Sequence, residues 1–138
     1  MKEKILVSAC LLGVNCKYNG GNNYHEEIDE FLSGYDVIPV CPEIFGGLPT
    51  PRPAAEALGD RVVTDEGKDV TENFLRGAEE TLKLAKKYNV KKALLKLRSP
   101  SCGNGKIYDG TFTNTLIDGD GITTKILKEN GIEIITII

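Results

Sequence analysis

"KILVSACLLGVNC" (Lys4–Cys16) decides how the rest of this chain reads. Its first half, Lys4–Ala9, is a short apolar run containing Ile5 and Val7, of the length of a buried strand, and it ends at Cys10. "YDVIPVC" (Tyr35–Cys41) repeats the arrangement, a β-branched run closed by a cysteine. A third apolar run, "KKALLKL" (Lys91–Leu97), is followed a few residues later by Cys102. Three strands are each followed by a thiol.

The segments between them carry a different period. Ile28, Phe31 and Leu32 fall at helical spacing before Gly34, which predicts a short helix. Val70, Phe74, Gly77, Ala78, Thr81, Leu82, Ala85 and Tyr88 form one buried face and predict a helix over about Val70–Tyr88. Asp69 with Glu72 resembles a capping box at its start. "ITTKILKEN" (Ile122–Asn130), closed by Gly131, predicts a last helix, and "IEIITII" (Ile132–Ile138) a last strand. Two stretches break the pattern: Cys41–Asp60, with four prolines and three glycines, and the glycine-rich Ser99–Gly121. Connections of that length are usually functional or disordered.

This alternation argues for a single α/β domain over residues 1–138. It is expected to be three-layered and Rossmann-like or flavodoxin-like, with a mainly parallel sheet of about four strands. Ligands of such sheets collect outside the carboxyl ends of the strands. Cys10, Cys41 and Cys102 are therefore expected at one rim.

The 138 residues suffice for one core, and the net charge of -3, with lysines and arginines dispersed or paired with acids, excludes the basic footprint of a duplex-nucleic-acid binder. No run approaches the roughly 18 apolar residues of a membrane span. Met1–Lys4 runs charged into the first strand without the apolar core of a signal peptide, so a cytoplasmic location is expected. In a reducing compartment four cysteines point to metal or thiol chemistry rather than disulfides. There is no C-x-x-C pair and one histidine, His25, so a local zinc knuckle is excluded and any shared site must be assembled by the fold.

Several chemistries fit such a rim. A buried cysteine can act as a small hydrophobe, but three at equivalent strand ends favour a soft metal or an iron-sulfur cluster, and a cluster held by three would keep one iron open. A closed four-thiolate zinc or iron site made by Cys10, Cys16, Cys41 and Cys102 would suit a binding or structural protein instead. A thiol nucleophile is the third reading, since a cysteine just after the first strand is similar to the small tyrosine phosphatases and arsenate reductases. Their loop closes with an arginine six residues on. Here that position is Cys16, followed by Lys17, so the bidentate oxyanion clamp is missing.

"VSACLLGVNCKYNGG", "PVCPEIFGGLPTPRPAAE", "LKLRSPSCG" and "YDGTFTNTLIDGDGITTKIL", in this order over nearly the whole chain, resemble the TudS-like thiouracil desulfurases. The resemblance implies a four-iron four-sulfur cluster held by Cys10, Cys41 and Cys102, whose open iron takes sulfur from a thiolated nucleobase or nucleotide without net redox change. It assigns Glu43 an acid/base role and implicates a serine of the "SPSCG" segment, Ser99 or Ser101, and it places Asp109 and Thr111 near the pocket. Cys16 falls at a position where relatives carry an apolar residue such as valine, so it reads as a spare or neighbouring thiol. Arg52 has two equal readings, an anionic substrate group or a loop acid as its partner. Asp109 and Thr111 also suit a turn. His25 suits a solvated or capping position.

Overall fold

Ile5, Leu6 and Val7 are all fully buried, which requires a strand covered on both faces. They lie in β1 (Glu3–Ser8) of the structure, a computed structural model that describes residues 2–136. The chain continues through α1 (Glu26–Leu32), β2 (Tyr35–Val40), the short α2 (Pro42–Phe45) and a hairpin of β3 (Ala55–Leu58) and β4 (Arg61–Thr64). It then forms α3 (Thr71–Lys87), β5 (Lys92–Leu94), a second hairpin of β6 (Lys106–Tyr108) and β7 (Leu116–Asp118), α4 (Ile122–Glu129) and β8 (Glu133–Ile135).

The main sheet has the order β2-β1-β5-β8, and all three pairings are parallel. Winding runs outward from β1 to β2 and then back across to β5 and β8, so its direction reverses between β1 and β5. That reversal opens a crevice at the carboxyl ends of these two strands. Successive residues serve opposite faces: Ile5, Val7 and Leu94 pack with Ile28 and Leu32 of α1, while Leu6 and Ala93 pack with Ala85 of α3 and Leu127 of α4. The expected three-layer α/β architecture is present. Each fully buried aliphatic side chain stabilises it by about 1.5–3 kcal/mol, and the crevice is thereby anchored from both sides.

Helix α2 is pressed against α3 backbone to backbone. A Cβ on Gly77 would lie 1.8 Å from the Pro42 carbonyl oxygen, and one on Gly46 would lie 1.9 Å from that of Asn73. The Asn73 side-chain amide donates to the Gly46 carbonyl at 2.9 Å, closing the contact. Glycine inside a helix is destabilising by about 1 kcal/mol against alanine, yet here only glycine fits.

Several expectations shift in detail. The long helix spans Thr71–Lys87, and Asp69 accepts the Thr71 N–H at 2.9 Å and pairs with Arg61 rather than forming a capping box with Glu72. The third strand stops at Leu94 instead of Leu97, because the Lys96 N–H leaves the ladder for the Ser8 hydroxyl at 2.9 Å. Strand β8 covers Glu133–Ile135 of the expected Ile132–Ile138, of which residues 137 and 138 lie outside the described ones. The two stretches read as loops contain α2, β3 and the β6–β7 hairpin, all elements of three or four residues. No helix among the described residues is long and apolar enough to cross a membrane.

Candidate functional site

Each strand end delivers its thiol through a different local device. β1 runs into a 3₁₀ turn, Ala9–Leu12, that carries Cys10 and is closed by Gly13 at φ 95°. Cys41 follows β2 directly as the N-cap of α2, its carbonyl accepting the Phe45 N–H at 2.9 Å. After β5 the chain turns on Ser99, whose hydroxyl oxygen accepts the Cys102 N–H at 2.7 Å and the Ser101 N–H at 3.3 Å. Ser8 then joins two of the ends, donating its hydroxyl to Cys102 Sγ at 3.7 Å. The outcome is a cavity of about 560 Å³ lined by Cys10, Cys41 and Cys102 together with Cys16.

Cys16 is 3% exposed, and its carbonyl accepts from Arg52 Nη2 at 3.0 Å and, weakly, from the Cys41 thiol at 3.9 Å. Among the described residues, no three His, Cys, Asp or Glu side chains close around a single ion. A closed mononuclear site needs four donors within ~2.3 Å of one centre, so the four thiols are not arranged for it. A cluster distributes its thiolates over several irons, and the volume is in the range of a pocket for a multi-atom group.

The charges support the same donor chemistry. Burial pushes the Cys102 thiol up to about 12, with the Ser8 hydrogen bond opposing. Cys16 is also pushed up to about 12, by burial and then by the charge of Cys41. Cys10 is raised chiefly by burial and further by Cys41, against a hydrogen bond from Asn23 and the charge of Lys96. As thiolates these groups oppose one another, and a bound soft-metal group removes the conflict by taking up their negative charge. The residues present fit an iron-sulfur cluster.

Glu43 lines the same cavity with its side chain 20% exposed, and burial raises its carboxyl above the usual range while Arg52 opposes the rise. Arg52 Nε donates to Glu43 Oε1 at 3.2 Å, and the rest of the guanidinium donates to the Pro49 carbonyl, the Thr50 hydroxyl and the Cys16 carbonyl. Of its two readings, the loop acid is the partner in this structure. Ser99 lines the cavity. Ser101 is fully buried behind Cys102, its hydroxyl 2.8 Å from that of Thr123. Asp109 fixes a turn by accepting the Thr111 N–H at 3.0 Å and the Thr111 hydroxyl at 2.6 Å. His25 is exposed at the N-cap of α1 and makes no side-chain capping bond.

Sequence reasoning missed a second part of the lining, where Lys96, Arg98, Glu56, Phe112 and Asn114 reach the cavity. A signal for Glu56 was present: Gly59-Asp60 between two short runs of strand-forming residues is a two-residue hairpin loop, and it implies an inward-facing position on β3. For Phe112 and Asn114 the signal was the "YDGTFTN" motif, whose Asp109 and Thr111 the resemblance places near the pocket.

The model of the family described as 2-thiouracil desulfurase matches residues 5–137. The protein named "Uncharacterized protein YbbK" of Bacillus subtilis (strain 168) is 42% identical over 142 residues, covering 96% of this chain and 94% of that protein. A solved structure, the [4Fe-4S]-dependent thiouracil desulfidase TudS (DUF523Vcz), superposes with a TM-score of 0.89 at 45% identity, covering 98% of this chain and 91% of that one. With matches of this extent to family, relative and structure alike, the chain belongs to the 2-thiouracil desulfurase family.

Proposed function

We propose that this protein hydrolyses the carbon-sulfur bond of a small thiolated pyrimidine, a thiouracil-like base or its nucleotide, without net redox change. Water supplies the oxygen of the product and sulfur leaves as sulfide. The observation that carries the reading is the convergence of Cys10, Cys41 and Cys102 from three parallel strand ends on one cavity that also holds Glu43. Family membership and the likeness to a [4Fe-4S]-dependent thiouracil desulfidase support it.

Cys10, Cys41 and Cys102 would hold a four-iron four-sulfur cluster. When bound, that group supplies a soft Lewis acid, at an iron without a protein ligand, that draws electron density out of the carbon-sulfur bond. Glu43 takes a proton from the attacking water and hands it on, a task suited to a carboxyl whose pKa lies closer to neutrality than usual. Arg52 holds Oε1 of Glu43, and Oε2 accepts no hydrogen bond among the described residues. Ser99, on the cavity wall, is placed to bond substrate or relay a proton, and Ser101 supports the Cys102 turn from behind. Four free cysteines suit a reducing, cytoplasmic setting.

The test is anaerobic reconstitution followed by incubation with 4-thiouracil. Brown protein with about four irons per chain that releases sulfide is expected. Colourless protein that keeps one zinc and releases no sulfide would sink the reading.

A further inference from the structure

Part of the cavity wall away from the sheet is built around a buried carboxylate on the β3–β4 hairpin. Glu56 on β3 is 8% exposed and is the one carboxylate among the buried polar residues described; among the described residues it forms no ion pair. Its Oε1 accepts two backbone N–H groups, those of Gly110 and Phe112, each at 3.1 Å. Burying a carboxylate without a counter-charge is unfavourable, and these two bonds are what compensate it. They dock the loop between β6 and β7 onto β3. At Gly110 the approach is so close that a Cβ would lie 2.7 Å from the Ala57 carbonyl oxygen.

The docked loop is held in an uncommon conformation. Phe112 and Asn114 both have φ 59°, in the left-handed region that side chains larger than glycine rarely adopt, and both line the cavity. The Asp109 N–H donates to the Thr115 carbonyl at 3.0 Å across the loop base, and the Thr111, Thr113 and Thr115 hydroxyls form a chain at 2.6 and 2.8 Å. All of this fixes the half-buried ring of Phe112 against the cavity, which Tyr18 and Tyr108 also line; of the three aromatic residues, Phe112 is the one carried on this docked and conformationally fixed loop.

We infer that Phe112 is the face on which the planar ring of the substrate stacks, and that Glu56 is the positioning residue that holds it there. The inference rests on the reading of the cavity as a site for a thiolated pyrimidine and adds how the ring is recognised. An aromatic face binds any flat π-system and discriminates against a puckered, saturated ring with the same hydrogen-bonding edge.

The experiment compares uracil with 5,6-dihydrouracil as ligands in calorimetry, and 4-thiouracil as substrate in steady state, on cluster-loaded protein. Wild type is expected to bind uracil in preference to dihydrouracil. Phe112→Leu should abolish that preference and raise KM about tenfold, the effect of ~1.4 kcal/mol of ring contact, with kcat and iron content little changed. Phe112→Tyr should restore the preference. Glu56→Ala should shift KM as Phe112→Leu does, and Glu56→Gln, whose amide oxygen can still accept both N–H groups, should recover most of it. An unchanged preference and KM in Phe112→Leu overturns the inference. So does lost iron or faster cluster decay in air with KM unchanged, because the ring would then shield the cluster rather than bind substrate. Wild type that releases no sulfide yet shows a Phe112-dependent preference for uracil refutes the desulfuration reading and leaves the stacking face standing.

Discussion

The two walls of the cavity are built by different means. On one, Cys10, Cys41 and Cys102 are placed by the main chain of a parallel sheet whose central strands, β1 and β5, carry the buried core. On the other, Phe112 and Asn114 are placed by a loop that hangs on the carboxylate of one residue, Glu56. The first wall inherits the cooperativity of the whole core. The second depends on two hydrogen bonds, so one substitution can move it without unfolding the protein. Strong, rigid placement sits where the proposed cluster needs several donors at once, and single-residue placement sits where substrates are told apart.

The comparison breaks most visibly at the thiols. Cys10→Ser, Cys41→Ser and Cys102→Ser should each lose most of the iron after anaerobic reconstitution, since serine is a poor soft-metal ligand, while Cys16→Ser keeps it. Equal loss in all four variants would mean that Cys16 is a ligand and that no iron is left open. Next in size, Glu43→Gln should lower sulfide release by about 100-fold with iron content intact, because the amide cannot carry a proton. Iron loss in that variant would instead make Glu43 part of the scaffold.

A backbone contact gives the third test. Gly77→Ala drives a Cβ into the Pro42 carbonyl and should destabilise by about 3 kcal/mol in urea unfolding, lowering iron content as well because Cys41 adjoins Pro42. Gly34→Ala, with nothing within 4 Å of its Cβ, should stay within ~0.5 kcal/mol of wild type. The smallest effect is expected at Asp69, whose carboxyl is held down from 3.8 to about 2 by hydrogen bonds from Thr71 and then Arg61. The stability it contributes is whole above pH 3.8 and disappears as pH falls through about 2, so Asp69→Asn should flatten the urea midpoint over that window.

What could be read in advance follows the same division. Lys4–Ala9 announces itself because a strand buried on both faces needs a continuous apolar run, Tyr35–Val40 because its β-branched run is short and bounded by a turn glycine and a cysteine although the strand is a half-buried edge, and α3 because seventeen residues repeat one period. The thiol wall follows from those elements by topology. The hairpins β3–β4 and β6–β7 have strands of three or four residues, too few for a period to rise above chance, and β7 is exposed throughout. The motif around Phe112 is marked by the family resemblance, which places its neighbours Asp109 and Thr111 near the pocket, but no period or propensity singles out the ring itself, since its placement comes from a carboxylate 56 positions away.

The central place of β1 also has a consequence for biosynthesis. Its cysteine leaves the ribosome first, but the other side of its crevice is made by β5 and the turn that bears Cys102, 92 residues later. At ~5–20 residues per second, Cys10 waits about 5–20 s for its counterpart, and during that time β1 has at most one neighbour. A cluster arriving then would find two thiols on an unfinished sheet. Loading therefore has to follow synthesis of most of the chain, and the thiols of the nascent protein depend until then on the reducing power of their surroundings.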